Sequence, residues 1–216
     1  MERFKVAIVI PAFNEEGTIG HVVKSAIGYG TVIVVNDCSV DNTAIEAKKS
    51  GAIVINHRSN KGYECALNTG FIKSNELNVD AIITFDADGQ HPRAYLEKYI
   101  LELKNGIDLV LGVRPNTARL SEWFFKLYTK KRLNWHDPLC GMKGYSIKLY
   151  HDQGYFDSLK LVGTELALFG LKNDYSHVQI SINILKREDK PRFSSYIKSN
   201  VSIFGALLKF RKLCNY

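Results

Sequence analysis

Two aspartates close an apolar run in Asp80-Ala-Ile-Ile-Thr-Phe-Asp86-Ala-Asp88-Gly-Gln90-His91-Pro92. Two residues apart on an extended segment, Asp86 and Asp88 point the same way. Paired hard oxygen ligands with positions left open suit Mg²⁺ or Mn²⁺ shared with a diphosphate. The same residues would also serve as a polar turn whose aspartates cap the next helix. A second acidic motif stands in the same context. Thr31-Val-Ile-Val-Val35 runs directly into Asn36-Asp37-Cys38-Ser39-Val40-Asp41-Asn42-Thr43, with Ser39 or Asp41 placed to cap a helix beginning near Asn42. A third apolar run, Val6 to Ile10, ends in Pro11-Ala12-Phe13-Asn14-Glu15-Glu16.

Chemistry at the ends of three apolar runs requires strands that finish on one edge. Short apolar runs predict strands near 5–10, 31–35, 52–56, 80–85 and 107–112, and helical periodicity falls near 15–28, 42–50, 61–75 and 92–104. This alternation predicts an α/β fold with a mostly parallel sheet, helices on both faces and ligands at the strands' C-terminal ends. Beyond Arg114 the alternation fades into a helical stretch at about 119–133 and an irregular segment around Asp137-Pro138-Leu-Cys-Gly141, expected to pack on the same sheet.

At 216 residues, 45% hydrophobic and with five prolines, the chain has enough apolar material for one good core. Cys38, Cys65, Cys140 and Cys214 lack metal-ligand spacing and follow no secretory signal, so a reduced, cytoplasmic setting is expected. No apolar run is long enough to span a bilayer, and an integral membrane protein is not expected. Charge is uneven: residues 1–110 hold 11 Lys and Arg against 14 Asp and Glu, residues 111–216 hold 18 against 8, and the halves carry −3 and +10. A basic second half suits anions, whether a diphosphate, a lipid phosphate or a membrane surface. No aromatic-rich recognition motif accompanies it, and no nucleic-acid partner is expected.

Taken together, Pro11-Ala-Phe-Asn14-Glu15, Val35-Asn-Asp37-Cys-Ser-Val-Asp41-Asn-Thr43, Asn60-Lys61-Gly62 and Asp86-Ala87-Asp88-Gly-Gln90-His91 resemble the nucleotide-sugar-binding half of an inverting glycosyltransferase of family 2 with the GT-A (Rossmann-like) fold. The Asp-Ala-Asp-x-Gln-His form, with Asp137-Pro-Leu-Cys-Gly141-Met downstream, looks most like the dolichol-phosphate mannose synthase and polyprenyl-phosphate glycosyltransferase branch. The resemblance covers about residues 5–192 and is tightest to about residue 92. It implies a single GT-A domain over residues 1–194, with a donor and metal half at about 1–114 and an acceptor half at about 115–194, followed by a basic helix at 195–216.

The resemblance also implies roles. Asp37 would bond the nucleobase of a UDP- or GDP-sugar, with Pro11, Asn14 and Glu15 beside the base and ribose and Lys61 and Gly62 approaching them; Ala87 lines the same edge. Asp86 and Asp88 would hold Mg²⁺ or Mn²⁺ against the two phosphates, with Gln90 as a further oxygen ligand. His91 is read as structural. A phosphate acceptor needs no general base, because a phosphomonoester is already largely ionised near neutral pH. It needs arginines, and Arg114, Arg119, Arg187 and Arg192 are the candidates. Arg187-Glu-Asp-Lys-Pro-Arg192-Phe-Ser resembles the acceptor segment of polyprenyl-phosphate enzymes but lacks its glycine. A saccharide or protein hydroxyl would instead require a base, for which Asp137 is the first choice and Glu165 the second. Gly141 and Gly144 would let the backbone approach the sugar or its phosphate, or act as turn residues.

In helical register Ile197, Val201, Phe204 and Leu208 share a face, so the C-terminal helix either lies peripherally in a membrane interface or docks on the core. A sugar nucleotidyltransferase and a non-catalytic nucleotide-sugar binder are the readings of another class. The first would ordinarily carry a Gly-rich, basic loop after the first strand, where this chain has the acidic Pro11-Ala-Phe-Asn-Glu-Glu-Gly17.

Overall fold

The computed structural model describes residues 4–115, 119–185 and 196–214, the side chains of 196–199 excepted. Apolar alternation along β1 (Val6–Ala12) sends Val6, Ile8 and Ile10 to one face of a sheet and Ala7 and Val9 to the other. Both faces are covered, so β1, β2 (Thr31–Asn36) and β4 (Ala81–Thr84) read as nearly continuous buried runs. One face carries α1 (Ile19–Ala26), α2 (Thr43–Lys49) and α4 (Ala94–Lys104), packed through Ile19, Val22, Val23, Ala47, Leu96, Tyr99 and Leu103. The spacing of Ile19, Val22, Val23 and Ala26 gives α1 one apolar stripe. The other face carries α3 (Tyr63–Glu76), α5 (Leu120–Leu133), α6 (Ile147–Gln153), α7 (Glu165–Lys172) and α8 (Tyr196–Cys214), around Phe71, Phe125, Trp135, Tyr145 and Phe210.

With β3 (Ile53–Asn56), β5 (Leu109–Val113), β6 (Lys143–Ser146) and β7 (His177–Ser181), the seven-stranded order is β3-β2-β1-β4-β6-β5-β7. β1 pairs in parallel with β2 and β4, β2 with β3, and β5 with β7. Only β6 runs the other way, antiparallel to both β4 and β5. Strand order reverses between β1 and β4, and in open α/β sheets the crevice outside the carboxyl ends of the strands at such a switch point is where ligands bind.

The expected strands and helices over residues 5–112 are all present, with shifted ends. The helix expected from residue 15 starts at Ile19, because Glu15 O first accepts Thr18 N–H and Ile19 N–H in a turn. β6 and β7, in the part of the chain beyond Arg114 where the strand–helix alternation fades, were not expected. Lys143-Gly-Tyr-Ser146 has no apolar alternation, and its lysine and glycine are buried because the sheet encloses them on both sides.

Between α6 and α7 the chain turns through left-handed residues Lys160, Val162 and Gly163 (φ 56°, 56° and 67°). A β-branched residue in that region is strained, and three carboxylates hold it there. Asp157 accepts Leu161 N–H and Gly163 N–H at 3.1 Å, Glu165 accepts Ser158 N–H at 2.7 Å and Leu159 N–H at 3.0 Å, and Glu64 accepts Val162 N–H at 3.2 Å. Burial, reinforced by the charges of Glu64 and Glu165, pushes the Asp157 carboxyl up to about 6. The folded value lies above the unfolded one, so this group's contribution to stability is fully present below about pH 4 and is lost as pH rises through about 6. In urea unfolding from pH 4 to 7, wild type should therefore lose on the order of 2–3 kcal/mol relative to Asp157→Asn. Parallel profiles for the two proteins would show that Asp157 is not the titrating group.

Candidate active site

The loops after β1 and β2 are tied to each other before they meet any ligand. Asn14 N–H donates to Ser39 Oγ (2.9 Å), Asn14 Oδ1 accepts Val40 N–H (2.9 Å), and Glu15 N–H donates to Thr43 Oγ1 (2.7 Å). Asp41 accepts Thr43 N–H and Glu16 N–H and so ties the first residue of α2 to the neighbouring loop. Neither capping candidate occupies the N-cap of α2, which is Asn42 and makes no side-chain cap bond; Ser39 bonds Asn14 instead. Asn14 holds a left-handed conformation (φ 55°), which asparagine tolerates. Glu15 is buried and accepts the Thr18 hydroxyl at 3.0 Å. Pro11 lies within β1, paired with Val35 of β2.

Asp37 is buried at the end of β2 and organises the next loop. Its Oδ1 accepts Lys61 N–H (2.9 Å) and lies 2.7 Å from His57 Nδ1, and its Oδ2 accepts Gly62 N–H (2.7 Å). A carboxylate only accepts, so His57 Nδ1 carries the proton in that contact. His57 Nε2 lies 2.9 Å from Thr69 Oγ1. Gly62 at φ 91° occupies a region costly for any side chain, and its conformation aims its N–H at Asp37. Lys61 meets Asp37 through its backbone, and the residue is exposed. His57 was not singled out in the sequence; the signal was a histidine one residue past the end of an apolar strand.

β4 delivers Asp86 and Asp88 to the crevice, both part-exposed, with Ala87 buried between them. Asp88 Oδ1 accepts Gln90 N–H at 3.0 Å. Gln90 is tied to the far side of the sheet, since Leu185 N–H donates to Gln90 O and Gln90 Nε2 donates to Leu185 O. Two further groups face Asp86 at longer range: Tyr63 Oη at 3.5 Å and His91 Nδ1 at 3.6 Å. Burial first, then the Asp86 charge, raises Tyr63 well above its ordinary value, so it remains a phenol. His91 is buried against Phe85, and neither of its ring nitrogens has a hydrogen-bond partner. Two part-exposed carboxylates on one rim, backed by these unmatched ring nitrogens, fit a hard divalent cation that takes its remaining oxygens from a diphosphate and water. Among the described residues no group of three His, Cys, Asp or Glu is placed to hold a metal ion.

On the other side of β4, the turn leading into β6 lies against Asp86, and Asp137 anchors it. Asp137 accepts Arg114 N–H (3.0 Å), Nε–H (2.7 Å) and Nη2–H (3.0 Å). Burial alone would lower the Arg114 pKa, but the bonds and charge of Asp137 raise it above its ordinary value. Glu122 accepts from Arg119 at 2.8 Å and lies 3.6 Å from Arg114, which joins both arginines in one network. Asp137, proposed from sequence as a base, thus engages both oxygens with a guanidinium. Glu165, the second choice, braces the 157–164 turn through Ser158 and Leu159. Gly144 packs β6 against α4, where a Cβ would stand 3.1 Å from Leu103 and Tyr99, so close packing favours glycine there. Arg187 and Arg192 lie outside the described residues.

On α5 and α8, helical spacing turns apolar side chains outward. Leu120, Trp123, Phe124 and Leu127 form the solvent side of α5 and Val201, Phe204 and Leu208 that of α8, while Ile203, Ala206, Leu207 and Phe210 face the core. The helix therefore docks on the core and also keeps its Val201-Phe204-Leu208 stripe exposed. Phe124 meets Trp123 edge-on and Phe204 at a tilt, with centroids 4.9 and 5.8 Å away, so the two stripes form one patch. Among the described residues no helix is long and apolar enough to cross a membrane. All four cysteines are free thiols.

Residues 7–155 match the pattern of glycosyl transferase family 2. An uncharacterised protein of Methanocaldococcus jannaschii is 42% identical over 117 residues, covering 53% of this chain and 48% of that protein. A UDP-N-acetylglucosamine–dolichyl-phosphate N-acetylglucosaminyltransferase of Methanococcus voltae is 36% identical over 129 residues, 50% of this chain and 51% of its own length. The chain thus spans about half the length of these two relatives. A dolichyl-phosphate hexose transferase of Haloferax volcanii is 26% identical over 205 residues, covering 88% of this chain and 87% of that one. Among solved structures, glucosyl-3-phosphoglycerate synthase from Mycobacterium tuberculosis, in complex with Mn²⁺, UDP and glucosyl-3-phosphoglycerate, superposes with a TM-score of 0.74 at 19% identity over 95% of this chain and 79% of that chain. That likeness establishes the GT-A architecture. With the family pattern matched across strands β1 to β6, the chain belongs to glycosyl transferase family 2.

Proposed function

We propose that this protein transfers a sugar, with inversion, from a UDP- or GDP-sugar to a polyprenyl phosphate, using a divalent cation and working against a membrane surface. The donor would lie in the crevice between β1 and β4. Asp37 and Glu15 would meet the base and ribose, flanked by Pro11, Asn14, Lys61 and Gly62, with Ala87 on the same edge. Asp86 and Asp88, with Gln90 beside them, would hold Mg²⁺ or Mn²⁺. When bound, the cation neutralises charge that develops on the departing nucleoside diphosphate. An acceptor phosphate oxygen forms the new bond to the anomeric carbon on the face opposite the breaking bond to that diphosphate. Arg119, with Arg114 behind it, would steer and orient the acceptor phosphate.

Two features favour a phosphate acceptor over a hydroxyl. The two carboxylates that might have served as bases, Asp137 and Glu165, both hold backbone or guanidinium groups, and a phosphate acceptor needs neither. The observation that carries the lipid reading is the outward apolar face of α5, which begins one residue after Arg119 with Leu120 and continues through Trp123, Phe124 and Leu127. Exposed Lys130, Lys131 and Arg132 follow on α5, and exposed Lys209, Arg211 and Lys212 lie on α8, which has no acidic residue. An apolar patch bordered by cations fits an anionic bilayer.

The metal reading is tested by Asp86→Asn, Asp88→Asn. In this variant, Mn²⁺ should no longer increase protection by UDP or GDP against thermal unfolding, and turnover should fall about 10²-fold or more while the fold is retained. Wild-type Mn²⁺ dependence in the double variant would remove the cation from the site. For the membrane face, Trp123→Ser, Phe124→Ser should reduce cosedimentation with anionic vesicles about tenfold or more, since each buried aromatic side chain contributes roughly 1.5–3 kcal/mol. Donor binding in solution should not change. Equal sedimentation of both proteins, together with efficient transfer to a soluble sugar hydroxyl, would favour the hydroxyl acceptor instead.

A further inference from the structure

Asp86 is the less firmly bonded of the two carboxylates on the rim, yet it has the tightest neighbour. Its two polar contacts, Tyr63 Oη at 3.5 Å and His91 Nδ1 at 3.6 Å, are at or beyond the limit of a hydrogen bond and cannot fix the plane of a carboxylate. Gly141 can. A Cβ at this position would stand 2.0 Å from Asp86 Oδ2 and 2.6 Å from Cγ, so the bare glycine lies directly against the carboxyl group. The space that the absent side chain leaves is already filled by Asp86, which accounts for a glycine here without any ligand.

Gly141 is itself held firmly. The Thr84 hydroxyl, on the last residue of β4 and two before Asp86, donates to Gly141 O at 2.6 Å and accepts Lys143 N–H at 3.0 Å. The Lys143 side chain doubles back under the same turn, where Nζ donates to Cys140 O at 2.6 Å and lies 6.0 Å from the centre of the Trp135 ring. Lys143 is buried, and among the described residues no carboxylate forms an ion pair with it. Burial lowers its pKa, and the carboxylates of Asp137 and Asp86 oppose that shift. Such a cation is retained where it is bonded to something that must stay in place; here that is the carbonyl preceding Gly141.

We propose that Gly141, clamped by Thr84 and the buried Lys143, is the positioning residue that sets the Asp86 carboxylate for sharing a divalent cation with Asp88. This rests on the metal-dependent reading above. Packing against backbone fixes the carboxylate's orientation while leaving its lone pairs open, whereas strong hydrogen bonds would occupy them. The Thr84 bridge makes that orientation a property of the β4–β6 pair rather than of a loop.

Mn²⁺ binding, followed by the electron paramagnetic resonance signal of the free ion in the presence of UDP and then of GDP, tests this without turnover. Gly141→Ala should bind Mn²⁺ at least tenfold more weakly than wild type, with a melting temperature within a few degrees of it. Thr84→Val should fall between the two, and Thr84→Ser, which keeps the hydroxyl, should restore wild-type affinity. Wild-type Mn²⁺ affinity in Gly141→Ala overturns the proposal while leaving the metal site intact. If wild type takes up no Mn²⁺ with either nucleotide, the metal-dependent reading fails and the positioning role fails with it. Should Gly141→Ala not fold, Thr84→Val decides, and unchanged Mn²⁺ affinity there overturns the clamp.

Discussion

Hydrogen bonding of β6 between two strands that run the other way is the constraint on which the rest of the site depends. In a purely parallel sheet, only residues following strands reach the carboxyl edge. Because β6 is reversed, the residues before it arrive at that edge, and the 137–142 turn is brought against the ends of β4 and β5. Gly141 then meets Asp86 and Asp137 meets Arg114. The chain that reads as an irregular segment is thereby as fixed as any strand, through Thr84 on one side and Arg114 on the other.

The Arg114–Asp137 pair is the strongest electrostatic element of that edge. Three N–H groups of one residue converge on one buried carboxylate, and losing Arg114 would leave the Asp137 charge uncompensated at a cost of about 3–5 kcal/mol. The pair holds the turn after β5 and the turn before β6 in a single unit. Glu122 then links Arg114 to Arg119 at the start of α5, so the apolar stripe of that helix is set relative to the crevice by charge as well as by packing.

What could be read from sequence was the chemistry that lies along the chain, and what could not was the chemistry that folds across it. Apolar runs ending in carboxylates located β1, β2 and β4 because both faces of the sheet are covered and the runs are unbroken. β6 escaped because a buried lysine and a glycine interrupt any pattern, and both are explained only by tertiary contacts: the lysine by Cys140 and Trp135 folded back under the turn, the glycine by Leu103 and Tyr99, some 40 residues away on α4. Asp137 and Glu165 were visible as acids. Whether an acid is open or already engaged depends on Arg114, Ser158 and Leu159, and composition does not carry that. The same holds for α8, whose Val201-Phe204-Leu208 stripe was legible while the direction it faces was not. Its opposite stripe, Ile203, Ala206, Leu207 and Phe210, supplies the core contacts instead.

Register ties these pieces together. Thr84 faces Lys143 across the β4–β6 ladder, and both residues present their side chains or backbone to the one turn between Cys140 and Lys143. A slip of one residue would exchange the faces of every side chain on β6. Tyr145 would leave the aromatic cluster with Phe71 and Phe156, and Gly144 would no longer admit Tyr99 and Leu103. Such a slip is opposed on both faces of the sheet at once, by large rings on one side and close approach on the other. The core therefore specifies, to within one residue, where Gly141 falls beside Asp86, and the geometry of the carboxylate rim is a consequence of the packing of β6, more than 50 residues along the chain from the aspartates themselves.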